Sequence, residues 1–173
     1  MKKVLLLCLI ALSALIVKAD GVAGVEWGAT KEQAYSHLSR RFGSVKATNS
    51  LMVTDVVIGS KLYDEAFFNF AWKGSLSYFC SATLYSQAKN TLAEATQDAF
   101  NIGSILSDKY DIDYIDWDKN SPEKTIVMMK GGVDPNNSNY CLFIVGVFKL
   151  PSGRYCAMVR FEVTPPFNFT DDF

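Results

Sequence analysis

Oxygen-bearing side chains alternate over Asp116-Trp117-Asp118-Lys119-Asn120, as they do at the first three ligand positions of a calcium loop. A hard cation needs several oxygens around one point, and side chains two apart in a turning loop converge on such a point. Asp116, Asp118 and Asn120 would be the ligands. The pattern then breaks: Ser121 stands where the turn wants glycine and Val127 where a bidentate glutamate belongs, leaving Glu123 or Asp113 to complete a different geometry. A solvated acidic loop is the better reading, and no cofactor is expected.

Nucleophilic chemistry has thinner support. His37 is the single histidine, so a zinc site built on two imidazoles is excluded. A thiol–imidazole pair would need His37 to meet Cys80, Cys141 or Cys156 in space. Alternation groups Cys80 with Tyr78, Ala82 and Leu84, which predicts burial as a small apolar residue. Cys156 alternates with Met158, Arg160 and Glu162, a more exposed face. Folding about Pro151-Ser152-Gly153 sets Cys141 near Glu162 and Cys156 near Val147, out of reach of one another, so a disulfide would have to involve Cys80. No catalytic constellation emerges, and a non-enzymatic role is expected. Phe67, Trp117, Phe167 and Phe169, with Phe173, fall where the pattern predicts exposure or loops, and together they would form a sticky binding patch. A tail that packs its own rings on the sheet competes with that reading.

The N-terminus gives an address. Met1-Lys2-Lys3, an apolar run from Val4 to Val17, and the small residues Val17 and Ala19 have the form of a cleaved signal peptide over residues 1–19. The run is shorter than the roughly 20 residues that span a bilayer. A mature chain from Asp20 without a transmembrane segment is therefore expected in the periplasm or outside the cell. The lysine-rich start is bacterial in style, which discounts the glycan sequons at Asn136-Asn137-Ser138 and Asn168-Phe169-Thr170. Loss of Lys2, Lys3 and Lys18 reduces 17 basic residues to 14 against 18 acidic ones, a net charge of about −4. The basic residues are scattered, Arg40-Arg41 being the only adjacent pair in the mature chain, so no nucleic-acid partner is expected.

The elements that must position these groups are legible from caps and periodicity. Thr30-Lys31-Glu32-Gln33 and Thr91-Leu92-Ala93-Glu94 are capping boxes. The first opens a helix over about 31–42 with the stripe Ala34, Leu38 and Phe42, ended by Gly43. The second opens a longer one with the stripe Leu92, Ala95, Ala99, Ile102, Leu106 and Tyr110. Strands are expected at 51–59, 65–73, 76–86, 125–130, 140–149 and 154–164, with an acidic, aromatic connection from Asp111 to Asn120 that has room for a short strand. Within the second strand, Ala66, Phe68, Phe70 and Trp72 share the apolar face. In the last, Tyr155, Ala157, Val159, Phe161 and Val163 do so. A tail follows over 165–173.

The two halves read alike: capping box, helix, strand, then hairpin. Thr30 to Ala34 answers Thr91 to Ala95, and Tyr78-Phe79-Cys80 answers Arg154-Tyr155-Cys156, which suggests half-repeats at 24–88 and 89–164 within a single domain over 20–173. The segment Gly24-Val25-Glu26-Trp27-Gly28-Ala29-Thr30, running into Gln33-Ala34 and Leu38, is similar to the start of many small exported bacterial domains. With the repeated order of elements, it resembles the β-lactamase inhibitor protein-like group. That resemblance implies an α+β fold, an antiparallel sheet packed on two helices as tandem helix-plus-three-strands units, and an exported binding module. No residues here correspond to an inhibitor's contact loop, so β-lactamase inhibition is not implied. The expected function is protein binding, with an envelope protein as the expected partner. A calcium-stabilised or small-ligand or glycan-binding domain is the alternative, and a thiol enzyme a more distant one.

Overall fold

The computed structural model describes residues 21–110, 114–116, 125–134 and 137–163. Both capping boxes form. Helix α1, Lys31–Phe42, starts where the Gln33 amide donates to Thr30 Oγ1 at 3.3 Å and the Thr30 amide donates back to Gln33 Oε1 at 2.9 Å. It buries Ala34 and Leu38 and stops at Gly43, whose φ of 82° favours a residue without a Cβ. Helix α2, Leu92–Tyr110, starts the same way at Thr91 and Glu94. The Thr91 hydroxyl and amide hold the Glu94 carboxyl below its ordinary range. Ala95, Ala99, Ile102 and Leu106 form its buried stripe.

Eight strands follow from the alternating stretches: β1 Lys46–Ala47, β2 Leu51–Ile58, β3 Lys61–Lys73, β4 Leu76–Ser86, β5 Tyr114–Asp116, β6 Thr125–Asp134, β7 Asn137–Lys149 and β8 Tyr155–Glu162. They make one antiparallel sheet in the order β1-β2-β3-β4-β8-β7-β6-β5. Each helix is thus followed by four strands rather than three. Of the additions, β1 has two residues, too few to leave a periodic signal, and β5, with three, is the short strand for which the Asp111 to Asn120 connection had room. The order is palindromic about the seam between β4 and β8, so corresponding elements of the two units stand at mirrored places. Both helices share one buried cluster with the inward residues of the sheet, among them Leu51, Phe68, Phe79, Phe143 and Val159. Among the described residues, no helix is long and apolar enough to cross a membrane.

Several departures from simple alternation matter. Asn69 pairs with Ser81 but Phe70 with Phe79, so a β-bulge falls at Cys80. Phe79 and Ala82 point inward, and Cys80 is half-buried with its Sγ donating to Asn69 O at 3.7 Å, not sealed in the core with Ala82 and Leu84. The β7–β8 register sets Phe148 opposite Cys156, one residue from the pairing expected of the turn. Trp72 is 59 % exposed, because the β3–β4 hairpin tip carries its apolar face past the helices; Leu76 beside it is 52 % exposed.

The segment before α1 is fastened to the sheet and to the helix. Gly28 N donates to Phe79 O and Phe79 N to Ala29 O, at 2.9 and 2.8 Å, while Trp27 stacks on Phe79 with ring centroids 4.6 Å apart. Arg41 Nη1 donates to Ala23 O at 2.6 Å, and His37 Nε2 lies 3.2 Å from the same oxygen. Gly24 makes this close approach possible, since a Cβ there would sit 2.7 Å from His37 Nε2. Between the units, Lys61 at the start of β3 pairs with Asp98 on α2. The Asp98 side chain is only 9 % exposed and its Oδ2 has no hydrogen-bond partner among the described residues. Burial, and then the Asp98 charge, raise the neighbouring Tyr63 phenol.

Candidate functional site

The face of the sheet turned away from the helices carries a row of aromatic rings. Phe67 on β3, Tyr85 on β4 and Phe148 on β7 are each half-buried. The Tyr85 ring meets Phe67 edge-on at 6.0 Å and Phe148 at 5.5 Å, spacings at which aromatic pairs attract. Cross-strand register makes the row: Phe67 lies opposite Thr83, Tyr85 opposite Met158, and Phe148 opposite Cys156. Around it runs a cleft of about 670 Å³, with Asp64 and Glu65 from β3 on one side and Pro151 and Arg154 from the β7–β8 turn also lining it.

Cys156 and Met158 are buried, at 1 % and 7 % exposure, yet neither belongs to the cluster beneath the helices. They line the floor of this other face, where exposure was expected for Cys156. Its Sγ donates to Phe148 O at 3.8 Å. Burial first, then the charges of Asp64 and Glu65, push the thiol from its ordinary 9.0 to about 11. Such a thiol is a poor nucleophile. Burial raises the Cys80 thiol as well, so at pH 8 iodoacetamide should alkylate half-buried Cys80 about tenfold or more faster than Cys156, as mass spectrometry of digested protein would read; comparable rates would contradict this environment. Stability should follow the same thiol. Below about pH 9 it is protonated folded and unfolded alike, and between about 9 and 11 the unfolded chain ionises first. Stability therefore falls across that window, and Cys156→Ala should lessen the fall.

His37 is held to Ala23 O on the helix side, with the sheet between it and Cys156, so the two do not form a nucleophilic pair. Cys80 and Cys156 are free thiols, and the disulfide reserved for Cys80 is not made. Of the residues proposed for binding, Phe67 lies in the aromatic row. Trp117, Phe167, Phe169 and Phe173 lie outside the described residues. Of the candidate calcium ligands, Asp116 is the last residue of β5, while Asp118 and Asn120 also fall outside them.

Comparison with known protein families, curated proteins and solved structures finds no match to this chain. The site therefore rests on its own geometry. Among the described residues, no three His, Cys, Asp or Glu side chains cluster as metal ligands. What the open face offers is aromatic surface, concavity and charge, which suit recognition. Asp64, Tyr85 and Phe148 are the residues that reading the sequence missed. Tyr85 and Phe148 carried a signal, since each alternates out of phase with its strand's buried residues.

Proposed function

We propose that this chain is an exported, non-enzymatic binding module that recognises a protein partner with the open face of its sheet. The observation that carries this reading is the row Phe67–Tyr85–Phe148, held half-buried in a cleft on the face the two helices leave free. Large, rigid rings with few torsions give contact area at small entropic cost, which is why they anchor protein interfaces. Export is supported by the charged, apolar and small-residue succession over residues 1–19.

A photo-crosslinking benzoyl-phenylalanine placed at Phe67, with extract of the source cells as bait pool, tests the reading. Ile105, half-exposed on α2, is the control position on the helix side. One adduct that saturates with added protein and forms from position 67 alone is the expected result. Adducts from both positions alike, or none from 67, would remove the open face as a recognition surface.

A further inference from the structure

The cleft has a charge as well as a shape. Tyr63 and Ala66 both point into the core, at 5 % and 0 % exposure, although they are three positions apart. The register explains it: Tyr63 pairs with Ser86 and Glu65 with Tyr85, so the strand bulges at Asp64. Regular pleating would send Asp64 and Glu65 to opposite faces. The bulge sends both carboxylates to the open face, where both line the cleft beside Phe67 and Tyr85. The Asp64 and Glu65 carboxylates form no ion pair or hydrogen bond with the described residues. Their charges are felt on the cleft floor, both at the Cys156 thiol and Glu65 at the Tyr85 phenol.

We propose that this cleft binds a lysine or arginine side chain presented by an extended segment of the partner protein, its cation lying over Tyr85 and Phe67 and against Asp64 and Glu65. The proposal rests on the open face being the recognition surface. Ring faces attract cations, and carboxylates beside them supply the countercharge, so the two features favour the same ligand group. Arg154, across the cleft, restricts the site to a segment with an isolated basic residue rather than a basic run. Charge also argues against a second copy and the C-terminal segment as occupants. A second copy would bring the same two carboxylates face to face. This chain's own residues 164–173 include Asp171 and Asp172 and no lysine or arginine.

The test is an NMR titration of the whole protein with a blocked hexapeptide carrying one lysine among valines and serines, beside its glutamate-for-lysine counterpart. The lysine peptide should shift the amides of Phe67 and Tyr85 saturably, and weaken with added salt. The glutamate peptide, and the lysine peptide on the Asp64→Asn/Glu65→Gln variant, should each bind at least about tenfold more weakly. The variant's own amide spectrum shows that it is folded. Equal affinity for the two peptides, an unaffected variant, or no saturable shift at Phe67 and Tyr85 would overturn the proposal. The photo-crosslink at position 67 separates this outcome from failure of the broader reading. If the D64N/E65Q variant captures the same adduct undiminished, open-face recognition stands and the cationic ligand falls. If no adduct forms while the lysine peptide still saturates the cleft, the cation site stands and protein recognition falls.

Discussion

Phe79→Ala is expected to cost about 4 kcal/mol of folding stability and to lower the melting temperature by about 10 °C. Phe79 is 1 % exposed and touches three other rings: Trp27 at 4.6 Å, Phe68 at 5.7 Å and Phe70 at 6.0 Å. Truncation removes the transfer energy of a large side chain and leaves a hole that neighbouring rings, fixed by strand and segment, fill poorly. A second loss accompanies the first. The Phe79 amide and carbonyl hold Ala29 and Gly28 while its ring holds Trp27, so the segment before α1 loses its side-chain anchor too. Urea unfolding reads the stability, and hydrogen exchange at the Gly28 amide reads the loosening. Trp72→Ala, at a 59 % exposed position, is the comparison and should stay within about 0.5 kcal/mol of wild type. Similar losses at the two positions would mean that the bulge at Cys80 does not set the inward face as described.

Lys61→Met should cost about 2 kcal/mol, although it makes the surface more apolar. The Asp98 carboxylate it abandons is 9 % exposed, and desolvating an unpaired charge outweighs anything a methionine gains there. Lys61 itself is 32 % exposed on its side chain, so solvent softens the loss below that of a fully buried pair. Removing both partners should recover most of it, because Asp98→Leu takes away the stranded charge and fills the space beside Tyr63. A double variant no more stable than Lys61→Met alone would show that the ion pair is not what couples β3 to α2.

The capping boxes were the most legible part of this chain, because their hydrogen bonds are local and each needs only residues three apart. Leu76–Ser86 was legible to its ends since Gly74-Ser75 and the apolar alternation agree. The sequence could not show the bulges at Asp64 and Cys80. A bulge is a mismatch between two strands, and neither strand announces it alone. That is also why the paired carboxylates of the cleft escaped notice, while Phe67, placed by simple alternation, did not. Tyr85 and Phe148 lie far apart in sequence and become neighbours only through the β4–β8 seam, which nothing local encodes.

That seam also orders the folding reaction. It joins residues as distant along the chain as Ser81 and Glu162, whereas every other pairing in the sheet links strands adjacent in the chain. Closing so long a loop costs entropy that the hairpins do not incur, so each half-sheet can assemble from near neighbours while the seam forms last. Substitutions at seam positions such as Thr83 should accordingly speed unfolding and leave the folding rate nearly unchanged in stopped-flow kinetics. Until the seam closes, β4 is an open edge, and a nascent chain is then most liable to zip onto the wrong copy of itself.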